Sequence, residues 1–347
     1  MARFTENRWT SAIIPALLIH IPIGTVYCWS VFKQLIADRL HASPASVEWG
    51  FSLAIFFLGM SAAFAGPMVE KNIKKSALVS MVCFVVGFAG TGVSIALNFL
   101  PGVFICYGAI MGIGLGGGYL TPVKNLMLWF ADNKGLATGI AVAGFGLALI
   151  SQEKDILHDV LRTFPQYANL SPAKFAAAIS GIIGLVLAVD SVFNTAGRVG
   201  FSTLSDHLKR RETVYQVIFI MSIAVCLLQI FTNSIGNALL WAVLAMLFLV
   251  NAGYGGGFST LPVLLDQHFG TKTVSTTHGL TLSAWAFAGL SGNQLASFVV
   301  AHAPDQAHRY AALIPVITGL FVVALISISL VKYLGDRNVT KAVEDRG

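Results

Sequence analysis

The chain is short of charge. Only 11% of its 347 residues are Asp, Glu, Lys or Arg, against about a quarter in a soluble domain, and that excludes a water-exposed globule. Cysteine is scarce too. Cys28, Cys83, Cys106 and Cys226 each sit inside an apolar run without CxxC or Cys/His spacing, so they read as small hydrophobes rather than metal ligands or disulfides. A Walker loop, HExxH, GxSxG and paired Cys/His motifs are all missing, which leaves ATP-driven work and hydrolysis without support. No enzyme, cofactor or metal is expected.

Apolar residues dominate instead. They make up 56% of the chain, the mean hydropathy is +0.75, and the excess falls in blocks of roughly 20 residues, the length a bilayer helix needs. The expectation is an all-α polytopic membrane protein whose first partner is the lipid bilayer. The net charge of +6 does not point to nucleic acid, because the bases cluster between apolar blocks, where they set topology. The first block follows an acidic residue and has no small-residue cleavage pattern, so it reads as a retained helix.

Ten blocks are legible, near residues 10–32, 47–68, 76–99, 102–130, 135–151, 175–204, 214–232, 239–265, 274–302 and 310–333. Between the fifth and sixth lies a polar stretch with two prolines. The predicted organisation is an N-terminal helical half (1–151), an extracytoplasmic loop (152–174) and a C-terminal half with a tail (175–347). Fourteen loop and terminal bases share the side of the termini and six lie opposite. The positive-inside rule therefore places both termini in the cytoplasm.

The halves repeat. GLGGGYLTP (Gly114 to Pro122) is echoed by GYGGGFSTLP (Gly253 to Pro262), and EKNIKK (Glu70 to Lys75) by DHLKRR (Asp206 to Arg211). KGLATG at Lys134 and HGLTLS at His278 are read as a third matched pair, each opening a helix. Agreement at three places predicts two parallel copies of one helical unit.

The acid-to-basic-pair loops resemble the cytoplasmic signature of the major facilitator superfamily. Gly66, Glu70, Lys71, Lys74 and Lys75 fit its pattern in one copy, with Ile73 in place of a glycine. Asp206, Arg210 and Arg211 fit it in the other, with Ser202 and Lys209 in place of glycines. More narrowly, NRW at Asn7, GTVYCWSVF at Gly24, WFADNKGLATG at Trp129, the GGGF helix and NTAGRVGFSTLSD at Asn194 resemble the oxalate/formate antiporter family and related bacterial monocarboxylate carriers. That resemblance implies a major-facilitator-like pseudo-two-fold fold and alternating-access transport of small organic anions across a bacterial inner membrane, as symporter or antiporter, with a proton or counter-anion as partner. The family has twelve spans. AGFGLA at Ala143 is similar to its fifth span and LALISQEKDILHD, ending at Asp159, to the end of its seventh, so an internal deletion is read as fusing the two. A transport-incompetent remnant, or a binding or sensor component, is the alternative reading.

Arg198 is the first candidate for chemistry. A base well inside a span costs roughly 2.5 to 3.5 kcal/mol on insertion scales, so it either faces a cavity or snorkels to the interface. The resemblance implies that it binds the anion's carboxylate. Asp190, Asn194 and Arg198 step by four. With Asp190 and Arg198 about 12 Å apart along the axis, a direct pair is excluded, and Asp190 either takes a coupling proton or hydrogen-bonds in the bundle. Tyr27, Trp29, Tyr119 and Phe258 form the aromatic box the resemblance implies, with plain packing as the alternative. Trp285 stands where the oxalate carrier has a second cation, which favours a monocarboxylate such as formate or pyruvate over oxalate. Lys124, near a helix end, is read as snorkelling, and His20 as a satisfied polar residue.

Overall fold

The computed structural model describes residues 7–152, 172–232, 240–304 and 312–344. Every regular element among them is helical. Apolar runs this long cannot leave backbone amides unpaired in lipid, and a helix pairs them within the segment. Helix α1 (Trp9–Gly24) passes through a 3₁₀ turn, Thr25–Cys28, into α2 (Trp29–Leu40). There follow α3 (Pro44–Lys71), α4 (Ile73–Ala96), α5 (Leu100–Trp129), α6 (Lys134–Gln152), α7 (Pro172–Asp206), α8 (Glu212–Thr232), α9 (Leu240–Phe269), α10 (Val274–Ala301) and α11 (Leu313–Glu344).

Counting α1 with α2 as one column, each predicted block falls on one helical column. By length and hydropathy alone, α3, α4, α5 and the Leu313–Gly335 part of α11 suffice to cross a bilayer. The predicted outer loop falls largely on residues 153–171, outside the described set.

Local chemistry places the breaks. Pro22 removes one amide from the α1 ladder, and the Thr25 hydroxyl donates to the Pro22 carbonyl (2.6 Å) as the chain tightens into the 3₁₀ turn. Ser43 caps α3 by accepting from Ser46 N (3.1 Å), with Pro44 next in line. Asn72, extended, ends α3 and caps α4 through Lys75 N (2.9 Å). On α4, Ser76, Ser80, Phe84 and Thr91 point inward while Leu78, Val82, Val85 and Phe88 are exposed, the face a bilayer would solvate. Helix α11 packs on α8 and leaves its apolar flank open.

The two halves meet along α3 against α10 and along α6 against α7. These are the same contact made twice. A methyl on Gly279 of α10 would collide with the Ala62 carbonyl of α3. A methyl on Gly139 of α6 would collide with the Arg198 carbonyl of α7. Gly139 and Gly279 therefore correspond, as do Ala62 and Arg198. This corrects one sequence match: α10 opens at Val274, not at His278, so the counterpart of Lys134 is Val274 and that of Gly135 is Ser275. The shared Gly-Leu dipeptide had drawn the pairing one helical turn too far. With this register α3, α4, α5 and α6 match α7, α8, α9 and α10. Helix α1 then has no partner after α6, and α11 none before α7.

Candidate functional site

Arg198 lies in the interior third of α7 toward Asp206 and is only 2% exposed. It does not snorkel. Its Nε donates to Asn194 Oδ1 (2.7 Å) one turn earlier, and Nη1 donates to the Val142 carbonyl of α6 (3.3 Å). On the α9 side Gly255 makes room, since a methyl there would stand 3.1 Å from Arg198 Cγ. Ser259 of α9 donates to the Arg198 carbonyl (2.7 Å), which ties the two helices together at this level. A guanidinium offers five coplanar donors, and Asn194 and Val142 fix its plane from two sides.

The predicted polar stripe is continuous, but through a residue on another helix. Asn194 Nδ2 donates to Oδ1 (3.0 Å) and to the carbonyl (3.1 Å) of Asn251 on α9. Asn251 Nδ2 in turn donates to the Asp190 carboxylate. The order is thus Asp190, Asn251, Asn194, Arg198, with two amides spanning the gap that forbids a direct ion pair. Half-buried Asp190 also borders a largely apolar cavity of about 600 Å³ between α7, α8, α9 and α11, with Tyr215, Phe219, Tyr254 and Phe321 among its walls.

Beside this network lies an aromatic cluster drawn from both halves. Tyr119 of α5 meets His20 of α1 edge-on (5.6 Å between centroids), His278 of α10 (5.4 Å) and Phe258 of α9 (6.2 Å). Phe258 then packs on Trp285 of α10 (5.1 Å). Tyr119, Phe258 and Trp285 are therefore brought together, and Ser259, next to Phe258, holds the Arg198 carbonyl. Trp29 is placed elsewhere: its indole packs at a tilt on Tyr107 (4.4 Å) and lines a separate cavity with Thr25, Phe32, Ile36 and Phe88. Tyr27 lies in the 3₁₀ turn, and its side chain is outside the described set.

At the helix ends near Arg8, the acids of the two matched loops each cap a helix of the opposite half. Glu70 Oε1 accepts from the first-turn amides of α10, Ser275 N (2.7 Å) and Thr276 N (3.3 Å), while Oε2 pairs with Lys124 Nζ (2.5 Å). Asp206 accepts from the first-turn amides of α6, Gly135 N and Leu136 N (2.8 Å each). A carboxylate at a helix N-terminus satisfies orphan donors and the positive end of the dipole.

Lys124 is 5% exposed and also donates to the Thr271 carbonyl, so its expected snorkelling is replaced by a buried ion pair. The acid that the sequence match supplied at the end of α3 lies within reach of its short route outward. In the second copy Arg211 stands 3.8 Å from Asp206 and donates to the Val263 carbonyl of α9 (3.0 Å), while Arg210 donates to the Lys332 carbonyl (2.9 Å). Lys71, Lys74 and Lys75 are exposed, and Gly66 lies where a methyl would strike Thr276. A third tie across the halves joins Lys134 to Asp266 (2.7 Å).

The NRW and WFADN stretches explain one another. Arg8 grips Asp132 with two parallel bonds (2.9 and 3.1 Å) and lies 4.9 Å over the Phe130 ring, with Trp9 edge-on to Phe130. The Arg8 hydrogen bond holds the Asp132 carboxyl below its ordinary value.

Sequence reasoning missed Asn251, His278, Asp266 and the pairing of Lys124. For Asn251 the signal was present, an amide within an apolar run. Attention to ionisable groups alone passed over it.

Residues 17–151 match the Major Facilitator Superfamily profile. An uncharacterized MFS-type transporter of Escherichia coli (strain K12), YhjX, is 22% identical over 352 positions that cover 80% of this chain and 85% of that protein. The oxalate:formate antiporter of Oxalobacter formigenes is 22% identical over 388 positions, covering 92% and 90%. The apicoplast pyruvate carrier 1 of Toxoplasma gondii is 26% identical over 181 positions, covering 41% of this chain and 33% of that protein. The 388 aligned positions exceed the 347 residues available here, so the antiporter carries residues with no counterpart in this chain. The family match ends at Ser151.

Proposed function

We propose that the chain is a transporter of the major facilitator superfamily and a secondary carrier of small organic anions; the profile match over residues 17–151 and the similarity to MFS-type transporters support this reading over an enzyme. The substrate is a monocarboxylate such as formate or pyruvate, in preference to oxalate. The observation that carries this reading is Arg198, a guanidinium buried inside a membrane helix and oriented by neutral amides and carbonyls. A planar cation held in this way can grip a carboxylate through two parallel bonds. The names of two relatives, an oxalate:formate antiporter and a pyruvate carrier, support an organic anion. Phe258, Trp285 and Tyr119 supply an apolar wall for a short carbon chain, and Asn194 positions the guanidinium. Asp190 is the candidate for the coupling proton; an exchanged anion is the other driving force.

The cycle proposed is rocking of residues 1–151 against 175–347 about this level, with 152–174 as the outer connection. In the state described, the Glu70 and Asp206 caps hold the two halves together at the ends near Arg8. The excess of bases on that face supports placing it, with both termini, in the cytoplasm of a bacterial inner membrane. Opening inward would have to break both caps. Lys124, Lys134, Arg210 and Arg211 add to the latch, and the exposed Lys71, Lys74 and Lys75 hold that face in the cytoplasm.

A second reading, a form that has lost transport but keeps the architecture, is favoured by the residues absent relative to the antiporter. By the internal match, these amount to a counterpart of α11 and one of α1, neighbours in sequence between α6 and α7. Uptake of labelled pyruvate, formate and oxalate into proteoliposomes, with and without a pH gradient, separates the two. Saturable uptake that is lost in Arg198→Ala supports the carrier. Background uptake of all three, from protein shown to be folded and inserted, supports the second reading.

A further inference from the structure

His278 is a buried polar group for which the latch and the Arg198 network have no use. It is 1% exposed, and its Nε2 is buried without a hydrogen-bond partner among the described residues. Such an atom is expensive in a protein interior unless something bonds it. The ring stands against Tyr119, and Tyr119 stands against Phe258, next to the Ser259 whose hydroxyl bonds the Arg198 carbonyl. His278 also crosses the seam between halves, since α10 belongs to one and α5 to the other. Its counterpart under the internal repeat is Thr138, whose hydroxyl bonds the Lys134 and Gly135 carbonyls of its own helix (2.8 and 3.0 Å) and, at 3.4 Å, the Ser259 carbonyl of α9. The repeat therefore puts an imidazole nitrogen without a described partner in one copy where the other has a hydroxyl with three acceptors.

On the reading that Arg198 holds a carboxylate, we infer that His278 is the specificity residue of the same site, bonding an oxygen on the second carbon of the anion. The preferred substrate class is then short 2-oxo or 2-hydroxy monocarboxylates. An imidazole nitrogen donates to a carbonyl or accepts from a hydroxyl according to its tautomer, so both members of the class fit. An unsubstituted acid of equal length fills the same space and leaves Nε2 unpaired. Sites built to bond a polar group discriminate strongly against analogues that lack it. Formate has no second carbon and gains nothing from His278. The ring that stands against His278 is Tyr119 of α5. Lys124, on the same helix as Tyr119, is engaged by Glu70 and so is not offered to a second carboxylate.

The test is equilibrium binding of pyruvate and of propionate to the full chain in lipid nanodiscs at neutral pH, where both are carboxylates. Wild type, His278→Leu, His278→Gln and Arg198→Ala are compared, with Gly200→Ala as a control in open space. The expected result is a preference for pyruvate of about tenfold or more, the worth of one ordinary hydrogen bond. That preference collapses in His278→Leu and partly returns in His278→Gln, which restores an N–H. A pyruvate-to-propionate ratio in His278→Leu equal to that of wild type overturns the assignment while leaving the Arg198 reading in place. Wild-type protein that binds neither acid overturns both, and an affinity for both acids lost only in Arg198→Ala separates the carboxylate contact from the specificity contact.

Discussion

Replacing Glu70 by alanine would strand a buried ammonium. Lys124 has a side chain 6% exposed and would lose its only carboxylate partner among the described residues, keeping the carbonyls of Thr271 and Lys272. Ser275 N and Thr276 N would lose their cap in the same step. Breaking one partner of a buried pair costs about 3–5 kcal/mol, and the remaining carbonyls put this case at about 3. Once the halves part, Lys124 is rehydrated and the penalty disappears, so it falls on the closed state alone. At 1.4 kcal/mol per tenfold, the closed population should drop roughly a hundredfold relative to the open one. Spin labels at exposed Lys74 and Lys272, in a cysteine-free background, lie on opposite halves and read this by electron–electron resonance. Wild type should give one short distance and Glu70→Ala a longer one. Glu70→Gln, which keeps both acceptors for the amides, should shift less. Glu70→Ala combined with Lys124→Met should recover much of the short distance, because no charge is then buried. A distribution unchanged in Glu70→Ala, or a double variant as open as the single, would refute the latch.

Other consequences are as specific. Asn251→Leu cuts the link between Asp190 and Asn194, and should lower anion affinity by roughly tenfold, about one hydrogen bond's worth, with helical content by circular dichroism unchanged. Gly279→Ala and Gly139→Ala force apart two backbones in contact and should each cost about 1–3 kcal/mol or more, read as a lower melting temperature, whereas Gly200→Ala, with nothing near it, should not. Arg8 depresses the Asp132 pKa, so their pairing contributes above the unfolded carboxylate value of about 3.9 and is lost as pH falls through the lower native value. The melting difference between wild type and Arg8→Ala should accordingly be small, salt-sensitive, present at pH ~7 and shrinking toward pH ~3. A gap that widens in acid would contradict it.

Much of the architecture was legible because a bilayer leaves few choices. Among the described residues each apolar block falls on helix, and the GGG and acid-base echoes fell where two equivalent helix pairs meet. What failed to read out was contact across the repeat. The dipeptide match at His278 set the register one turn off, since only the caps made by Glu70 and Asp206 reveal where α6 and α10 begin. Lys124 looked like an interfacial lysine because its distance from the helix end is a local property, while its partner lies 54 positions away in sequence. Arg198, Asn194 and Asp190 were visible as a polar stripe, but the amide that joins them, Asn251, sits on another helix and cannot be placed by periodicity. The aromatic group divided for the same reason: Tyr119, Phe258 and Trp285 converge, and Trp29 turns to Tyr107.

Counterflow tests the central claim most directly, because it needs no driving gradient and reports alternating access as well as binding. Proteoliposomes loaded with unlabelled pyruvate would receive labelled pyruvate outside, for wild type, Arg198→Ala and Arg198→Lys. Transient accumulation of label by wild type is predicted, abolished in Arg198→Ala and strongly reduced in Arg198→Lys, since an ammonium cannot reproduce the two-pronged grip. Equal accumulation in all three would remove Arg198 from the site, and none in wild type, with formate and oxalate equally inert, would mean that this chain does not transport.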